Sequence, residues 1–370
     1  MSPALNLPRL IFGTGSLAVL ASELALLGVR RPLLISDRGL EAAGVFARAI
    51  DAAPVIAASF LDVSENPTAV DVDLAARAWR AGRCDGIVAL GGGSVLDTAK
   101  TLAALMTSGL AHAAELIGRP ERIGRSIAPL IAIPTTVGTG SESSPVTGIH
   151  LTHGGPAIGT RSTKLIPAVA LCDSDLVRTL PPSLIAATAV DALSHCIEGY
   201  FANPTQPLID ALALDGAARV MADVHAALAP EGNDARQSLM AAAFQGGVAI
   251  HKGLGPAHAV ALACGDQPVH HGTIIGVALP HTVRLLAAHV PDKAARLRAA
   301  MGLAEGADIG DALYKLIASL GLASTLPQAG YRCGEPTDLV TAMVASHFNH
   351  SSPYAPTAGE YRAILDAIAE

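Results

Sequence analysis

The residue pattern predicts an α/β half with a mostly parallel sheet, followed by an all-α half. Three observations carry that expectation. Short β-rich runs alternate with alanine-rich helical runs through the first half, the pattern of strands joined by crossover helices. Beyond Leu180-Pro181-Pro182-Ser183 the β-branched runs stop and helical periodicity continues. The chain has 370 residues, is 51% hydrophobic and only 15% charged, and so can bury a large core. The double proline suits a boundary, with Ser183 placed to cap the next helix. The expected domains are residues 1–180 and 181–370.

In chain order, Leu10 to Gly13 reads as a strand and Ser16 to Leu27 as a helix. Arg31 to Asp37 reads as a buried strand, Leu40 to Ala52 as a helix and Val55 to Phe60 as a third strand. Thr68 to Ala81 is helical, and Gly86 to Leu90 is the next strand. Leu130 to Ile133 and Ala168 to Cys172 read as later strands of the same sheet. From Ile185 onward the periodicity is helical to Glu370.

Composition excludes several classes of function. A net charge of −7 without a basic run argues against nucleic acid. With 3% aromatics, stacking platforms for bases or sugars are not expected. The five cysteines are widely spaced with no CxxC, which suits reduced thiols in the cytoplasm. The stretch after Met1 has no basic region followed by an apolar one. Gly, Pro or charge interrupts every apolar run short of a membrane span.

Two sets of residues carry chemistry. Gly91-Gly92-Gly93-Ser94 lies between a strand and a helix, where free N–H groups and the helix dipole suit a diphosphate. The same glycines also suit a plain tight turn, and the spacing is not G-x-G-x-x-G. Asp37 closes the second strand, where an acid can bind a ribose hydroxyl and repel a 2′-phosphate, or simply cap a helix. Arg38 beside it could accept such a phosphate. Pro134-Thr135-Thr136 to Glu142 follows another strand and is dense in hydroxyls and glycines. The second set begins with Asp191 and His195, four apart on one helix face in an apolar run. A buried carboxylate needs a positive partner, and no Lys or Arg lies between Arg178 and Arg219. A metal ion answers that need if His258 and His271 add imidazoles. Thirteen histidines also make chance pairings, so spacing alone leaves packed-core histidines as the competing explanation.

Taken in order, these motifs resemble the iron-containing (group III) alcohol dehydrogenase family. The ordered set is Gly91 to Ser94 with Asp97 and Lys100, Pro134 to Glu142, and Asp191 to Glu198. Lys252 to Gly255, His258, and His270-His271-Gly272 to His281 complete it. The resemblance runs from about Phe12 to Tyr361. It implies a Rossmann-like dinucleotide-binding domain, an all-α domain of the dehydroquinate synthase-like fold, and an active site in the cleft between them. It carries metal ligation to Asp191, His195, His258 and His271, with Fe2+ expected and Zn2+ as the alternative. It carries NAD contacts, or NADP contacts, to Asp37, Asn66, Gly92, Gly93, Ser94, Asp97, Thr135, Thr136, Ser144, Lys164 and Leu176.

Two departures stand out. Leu262 occupies the place where many members keep a histidine, so proton transfer is expected through His270, beside His271 at the reacting centre. His347 to Tyr354 replaces an Asn-Pro-Arg-like motif. The expected reaction is hydride transfer between a short primary alcohol or ω-hydroxy acid, 4-hydroxybutyrate-like, and its aldehyde. Arg161, Lys164 and Lys252 are the possible partners of a substrate carboxylate. Maleylacetate reductase chemistry is a sibling alternative, and a cyclising lyase of the dehydroquinate synthase type is one from a different class. The expected protein is a homodimer or larger, with small-molecule partners and no contact with nucleic acid or membrane.

Overall fold

The computed structural model describes residues 4–370, which fall into two compact units. One contains residues 6–136 and 141–180. The other contains 181–370 together with the short segments 4–5 and 137–140.

The first unit is built on a six-stranded, all-parallel sheet. Its strands are β1 (Arg9–Phe12), β2 (Pro32–Ile35), β3 (Ala58–Phe60), β4 (Gly86–Gly91), β5 (Leu130–Pro134) and β8 (Val169–Cys172), in the order β1-β8-β5-β4-β2-β3. Alternating side chains divide between two cores. Leu33, Ile35, Ile87, Ala89, Leu130 and Ala132 pack with the helices Ala69–Gly82 and Gly93–Ser108. Leu34, Val88, Leu90, Ile131 and Ile133 pack on the other face with Leu20–Leu26 and Val45–Ala52. Burial on both faces explains why these strands read as continuous apolar runs. The parallel sheet with crossover helices is as expected.

Local details differ from the sequence reading. The helix expected from Leu40 to Ala52 is two helices, Arg38–Ala42 and Val45–Ala52, because Gly44 takes a left-handed conformation between them. The antiparallel hairpin of β6 (Val146–His150) and β7 (Ala157–Arg161) was not expected.

Strand order places the chemistry of this unit. Strand β2 continues outward to β3, whereas β4 leads the other way to β5, so the direction of winding reverses between β2 and β4. Ligands of doubly wound sheets bind outside the carboxyl ends of strands at such a reversal. Gly91 at the end of β4 pairs in register with Pro134 at the end of β5, setting the two loops side by side.

The second unit is helical. Helix Pro182–Phe201 is buried without interruption from Ile185 to Phe201 and packs against Pro207–Ala227, Asn233–Ala249 and His271–His289. The ammonium of Lys252 donates to Tyr200 O at 3.0 Å, and that of Lys293 donates to Tyr200 O and Phe201 O at 3.0 and 3.3 Å. These cations satisfy carbonyls at the negative end of helix Pro182–Phe201. Among the described residues no helix is long and apolar enough to cross a membrane.

Candidate metal centre and nucleotide loops

Helical spacing puts Asp191 and His195 on one face of Pro182–Phe201, with Asp191 Oδ1 3.6 Å from His195 Nε2. His258, in the short helix Pro256–Ala263, stacks its ring on His195 with centres 5.0 Å apart. One donor atom from each of Asp191, His195 and His258 lies within 4.8 Å of the other two. His271 opens helix His271–His289, its ring 5.6 Å from that of His258, at the edge of this trio. A Cβ on Gly272 would sit 2.5 Å from Ala187 O, so glycine lets that helix start close against the Asp191 helix.

The electrostatics fit a cation. Burial pushes the Asp191 carboxyl up, but His195, His271, His258 and His270 together outweigh it and hold the carboxyl below its ordinary value. Burial lowers the His195 imidazole against the opposing pull of Asp191. His271 keeps solvent-accessible surface, yet protein crowds it closely enough that desolvation, with Asp191 opposing and three imidazoles adding, pushes it down to about 4. The centre therefore holds an ionised carboxylate beside the neutral imidazoles of His195 and His271. Asp191 Oδ1 and His258 Nε2 are buried without a hydrogen-bond partner. Unpaired buried donors and acceptors are rare, and an oxygen with imidazole nitrogens suits Fe2+ or Zn2+.

Two residues beside this centre received no role from sequence. Glu198 accepts a hydrogen bond from His258 Nδ1 at 2.5 Å, and Phe348 sets its ring 5.5 Å from that of His258. The signal for Glu198 was present: positions 191, 195 and 198 share one helix face. Phe348 had none, because its contact joins distant parts of the chain. His270 precedes helix His271–His289 and keeps a buried, partnerless Nδ1.

In the α/β unit, Gly92 is the N-cap of Gly93–Ser108 and supplies no side-chain cap, so the first N–H groups of that helix stay available. Ser94 Oγ donates to Glu65 O at 2.5 Å, tying the glycine turn to the loop of the exposed Asn66. Thr135 N–H donates to Gly91 O, and Thr136 Oγ1 is buried without a partner. Asp37 caps helix Arg38–Ala42 through Leu40 N–H at 2.9 Å. Arg38 is spent on Asp62 and Glu41, each at 3.0 Å.

Below these loops sits a buried ionic group. Lys100 Nζ donates to the carbonyls of Ser141, Ser144 and Val146 at 3.0, 2.9 and 2.6 Å. Burial lowers its ammonium to about 8 against the pull of Asp97 and Glu142, and burial raises the Glu142 carboxyl to about 7.

Four of the expected cofactor contacts have partners within the chain. The Lys164 ammonium donates to Ile123 O and Gly124 O, and Lys164 lines a hollow with Pro129, Leu130 and Ala168 at the amino ends of β5 and β8. Asp97 accepts from Ser141 Oγ and Gly148 N–H, and Ser144 belongs to the Lys100 group, so both side chains serve the loop internally. The Leu176 side chain lies in the core beneath the sheet. Lys252 is likewise no partner for a substrate carboxylate, since it is buried against Asp210.

Residues 8–174 match the family model described as iron-containing alcohol dehydrogenase, and residues 185–369 match the C-terminal model of the Fe-containing alcohol dehydrogenase family. The chain is 39% identical over 367 residues to 4-hydroxybutyrate dehydrogenase of Cupriavidus necator, spanning 95% of this chain and 96% of that protein. Among solved structures, a 1,3-propanediol oxidoreductase superposes with a TM-score of 0.94 at 25% identity, covering 99% of each chain. The sulfoacetaldehyde reductase of Bifidobacterium kashiwanohense, solved in complex with NAD+, superposes with a TM-score of 0.92 at 25% identity over 100% of this chain and 99% of that one.

Proposed function

This chain belongs to the iron-containing alcohol dehydrogenase family, and on that premise we propose that it interconverts a short ω-hydroxy acid, 4-hydroxybutyrate-like, with its aldehyde. The observation that carries this reading is Asp191, held ionised among imidazoles while its Oδ1 and His258 Nε2 lack partners. Asp191, His195, His258 and His271 would hold a divalent cation, Fe2+ first and Zn2+ as the alternative, which supplies Lewis-acid polarisation of the alcohol oxygen. NAD, with NADP as the alternative, supplies the hydride acceptor.

The chain's own residues do the rest. Gly92, Gly93 and Ser94 offer N–H groups to the diphosphate at the open start of their helix. Asp37 accepts from a ribose hydroxyl and repels a 2′-phosphate. Arg38, held by two carboxylates, does not offset that repulsion. Thr135 and Thr136 line the neighbouring loop, and Asn66 presents its amide beside the turn. His195 and His271, kept neutral, present lone pairs rather than charge. His270 takes the alcohol proton at Nδ1, since Leu262 offers no titratable group. The cyclising-lyase alternative asks for several free cations, and both Lys252 and Lys293 are spent on the end of the ligand helix.

Five free cysteines, four of them buried, support placement in the reducing cytoplasm. A homodimer or larger assembly follows from the family reading. Separate functional domains, nucleotide-binding for 1–180 and metal-binding for 181–370, belong to the same proposal. The deciding assay loads the protein with Fe2+ or Zn2+ and offers short alcohols, diols and ω-hydroxy acids with NAD or NADP. NADH formation led by ω-hydroxy acids is expected. Turnover without net nicotinamide reduction, or none with any alcohol, overturns the reading.

A further inference from the structure

Helix Pro256–Ala263 begins in an unusual way. Its N-cap is Gly255, which has no side chain to cap with, and Pro256 has no N–H to satisfy. The first free donor is Ala257 N–H, and it is accepted at 2.7 Å by Glu198 Oε1, from a different helix. The other oxygen, Oε2, takes His258 Nδ1 at 2.5 Å. A Cβ at Gly255 would come within 2.9 Å of Glu198 Oε1, so glycine there leaves room for the carboxylate. Glu198 is fully buried, and both oxygens are committed to neighbouring residues of one helix start.

A carboxylate only accepts hydrogen bonds, so Nδ1 of His258 must carry the hydrogen. Nε2 then holds the lone pair, and Nε2 is buried without a hydrogen-bond partner in the Asp191–His195–His258 trio. Stacking by His195 on the ring, and the tilted Phe348 ring 5.5 Å away, restrict its rotation. We propose that Glu198 is the positioning residue of the metal centre. It fixes the His258 tautomer that presents Nε2 to a divalent cation, and by capping Ala257 it fixes where the His258 helix starts. This rests on the metal reading above. One helix thus delivers Asp191, His195 and the group that orients His258.

The decisive variant is Glu198→Gln, nearly isosteric but with one oxygen replaced by an NH2 group. Two donors face this side chain, so an amide can accept only one of them. If its oxygen keeps Ala257, its NH2 meets Nδ1 and favours the tautomer that removes the Nε2 lone pair. Zn2+ affinity, measured on the full chain by competition with a chromogenic chelator, should fall about 10–100-fold, as when the carboxylate behind a ligating histidine is lost. Glu198→Asp should recover part of that loss. In the metal-free wild type, 15N-histidine NMR should show His258 protonated at Nδ1, and Glu198→Gln should raise the Nε2-protonated fraction. A merely structural side chain would not move that signature. Asp191→Asn serves as the control for the metal reading. If it loses Zn2+ while Glu198→Gln binds as wild type does, the Glu198 proposal is overturned and the metal reading stands. If Asp191→Asn keeps Zn2+ unchanged, both fall. Should Glu198→Gln fail to fold, wild-type His258 found protonated at Nε2 overturns the proposal by itself.

Discussion

Replacing Asp191 with Asn keeps volume and polarity but removes the charge that four imidazoles hold ionised. Metal content by atomic absorption should drop to near zero. Alcohol oxidation should fall by roughly three orders of magnitude, the worth of several kcal/mol of charge stabilisation, while far-UV circular dichroism stays unchanged. Asp37→Ser separates two roles of one side chain. Serine still caps helix Arg38–Ala42 but no longer repels a 2′-phosphate. The ratio of kcat/KM for NAD over NADP should fall about tenfold, equivalent to ~1.4 kcal/mol, with little change in thermal midpoint. Helix spacing and an apolar setting singled out Asp191 and His195, because a buried carboxylate is costly, and the structure sets His258 beside them. Residue identity did not disclose what Lys164 or Lys252 touches. A cation's partner depends on which end of a sheet or helix it reaches, and here the partners are carbonyls and Asp210 rather than a ligand.

Among the elements, the segment from β5 to β6 depends on Lys100. Its ammonium gathers three carbonyls of residues 141–146 onto helix Gly93–Ser108. Lys100→Met would leave Asp97 and Glu142 buried without a cation, a loss of about 3–5 kcal/mol in urea unfolding. Glu142 also gives this group a pH signature. Its folded value is raised from 4.5 to about 7, so the folded state holds an extra proton between those values. That stabilisation is complete below the unfolded value and is lost as pH rises through about 7. Lys100 acts in the opposite sense and higher, its lowered value returning stability as pH rises above about 8. The unfolding free energy of the wild type minus that of Glu142→Gln, from urea titrations, should therefore decline between about pH 5 and about pH 7.5, by on the order of 3 kcal/mol at most. Most strands and helices were legible from alternation alone. The β6–β7 hairpin was not, because Gly148 and Gly159 face each other in the ladder and break both β-rich runs. Gly44 likewise divides a helix that periodicity reads as continuous.

For the whole molecule, the two-part plan was legible because the β-rich texture ends at the double proline. Local pattern could not reveal that residues 137–140 belong with the helical unit. Only packing shows it. A Cβ on Gly138 would lie 2.4 Å from Thr188 O, and one on Gly140 would lie 2.6 Å from Gly247 N. Thr188 sits one turn before Asp191 in the ligand helix. Gly138→Val should cost about 1–3 kcal/mol by overpacking and lower the thermal midpoint. It should also reduce Zn2+ retention on dialysis, although position 138 is remote in sequence from every ligand. Unchanged retention in a destabilised variant would separate that packing from the centre.

The placement of these four residues also bears on heredity. A gene cut at codon 180 does not yield two interchangeable cassettes, because the first piece carries away a part that the second needs to close its packing. A chimaera joining this catalytic half to a relative's nucleotide-binding half would have to keep residues 137–140 from the parent of the helical half. The halves of such enzymes are therefore expected to diverge as a pair, with shuffling at that seam disfavoured.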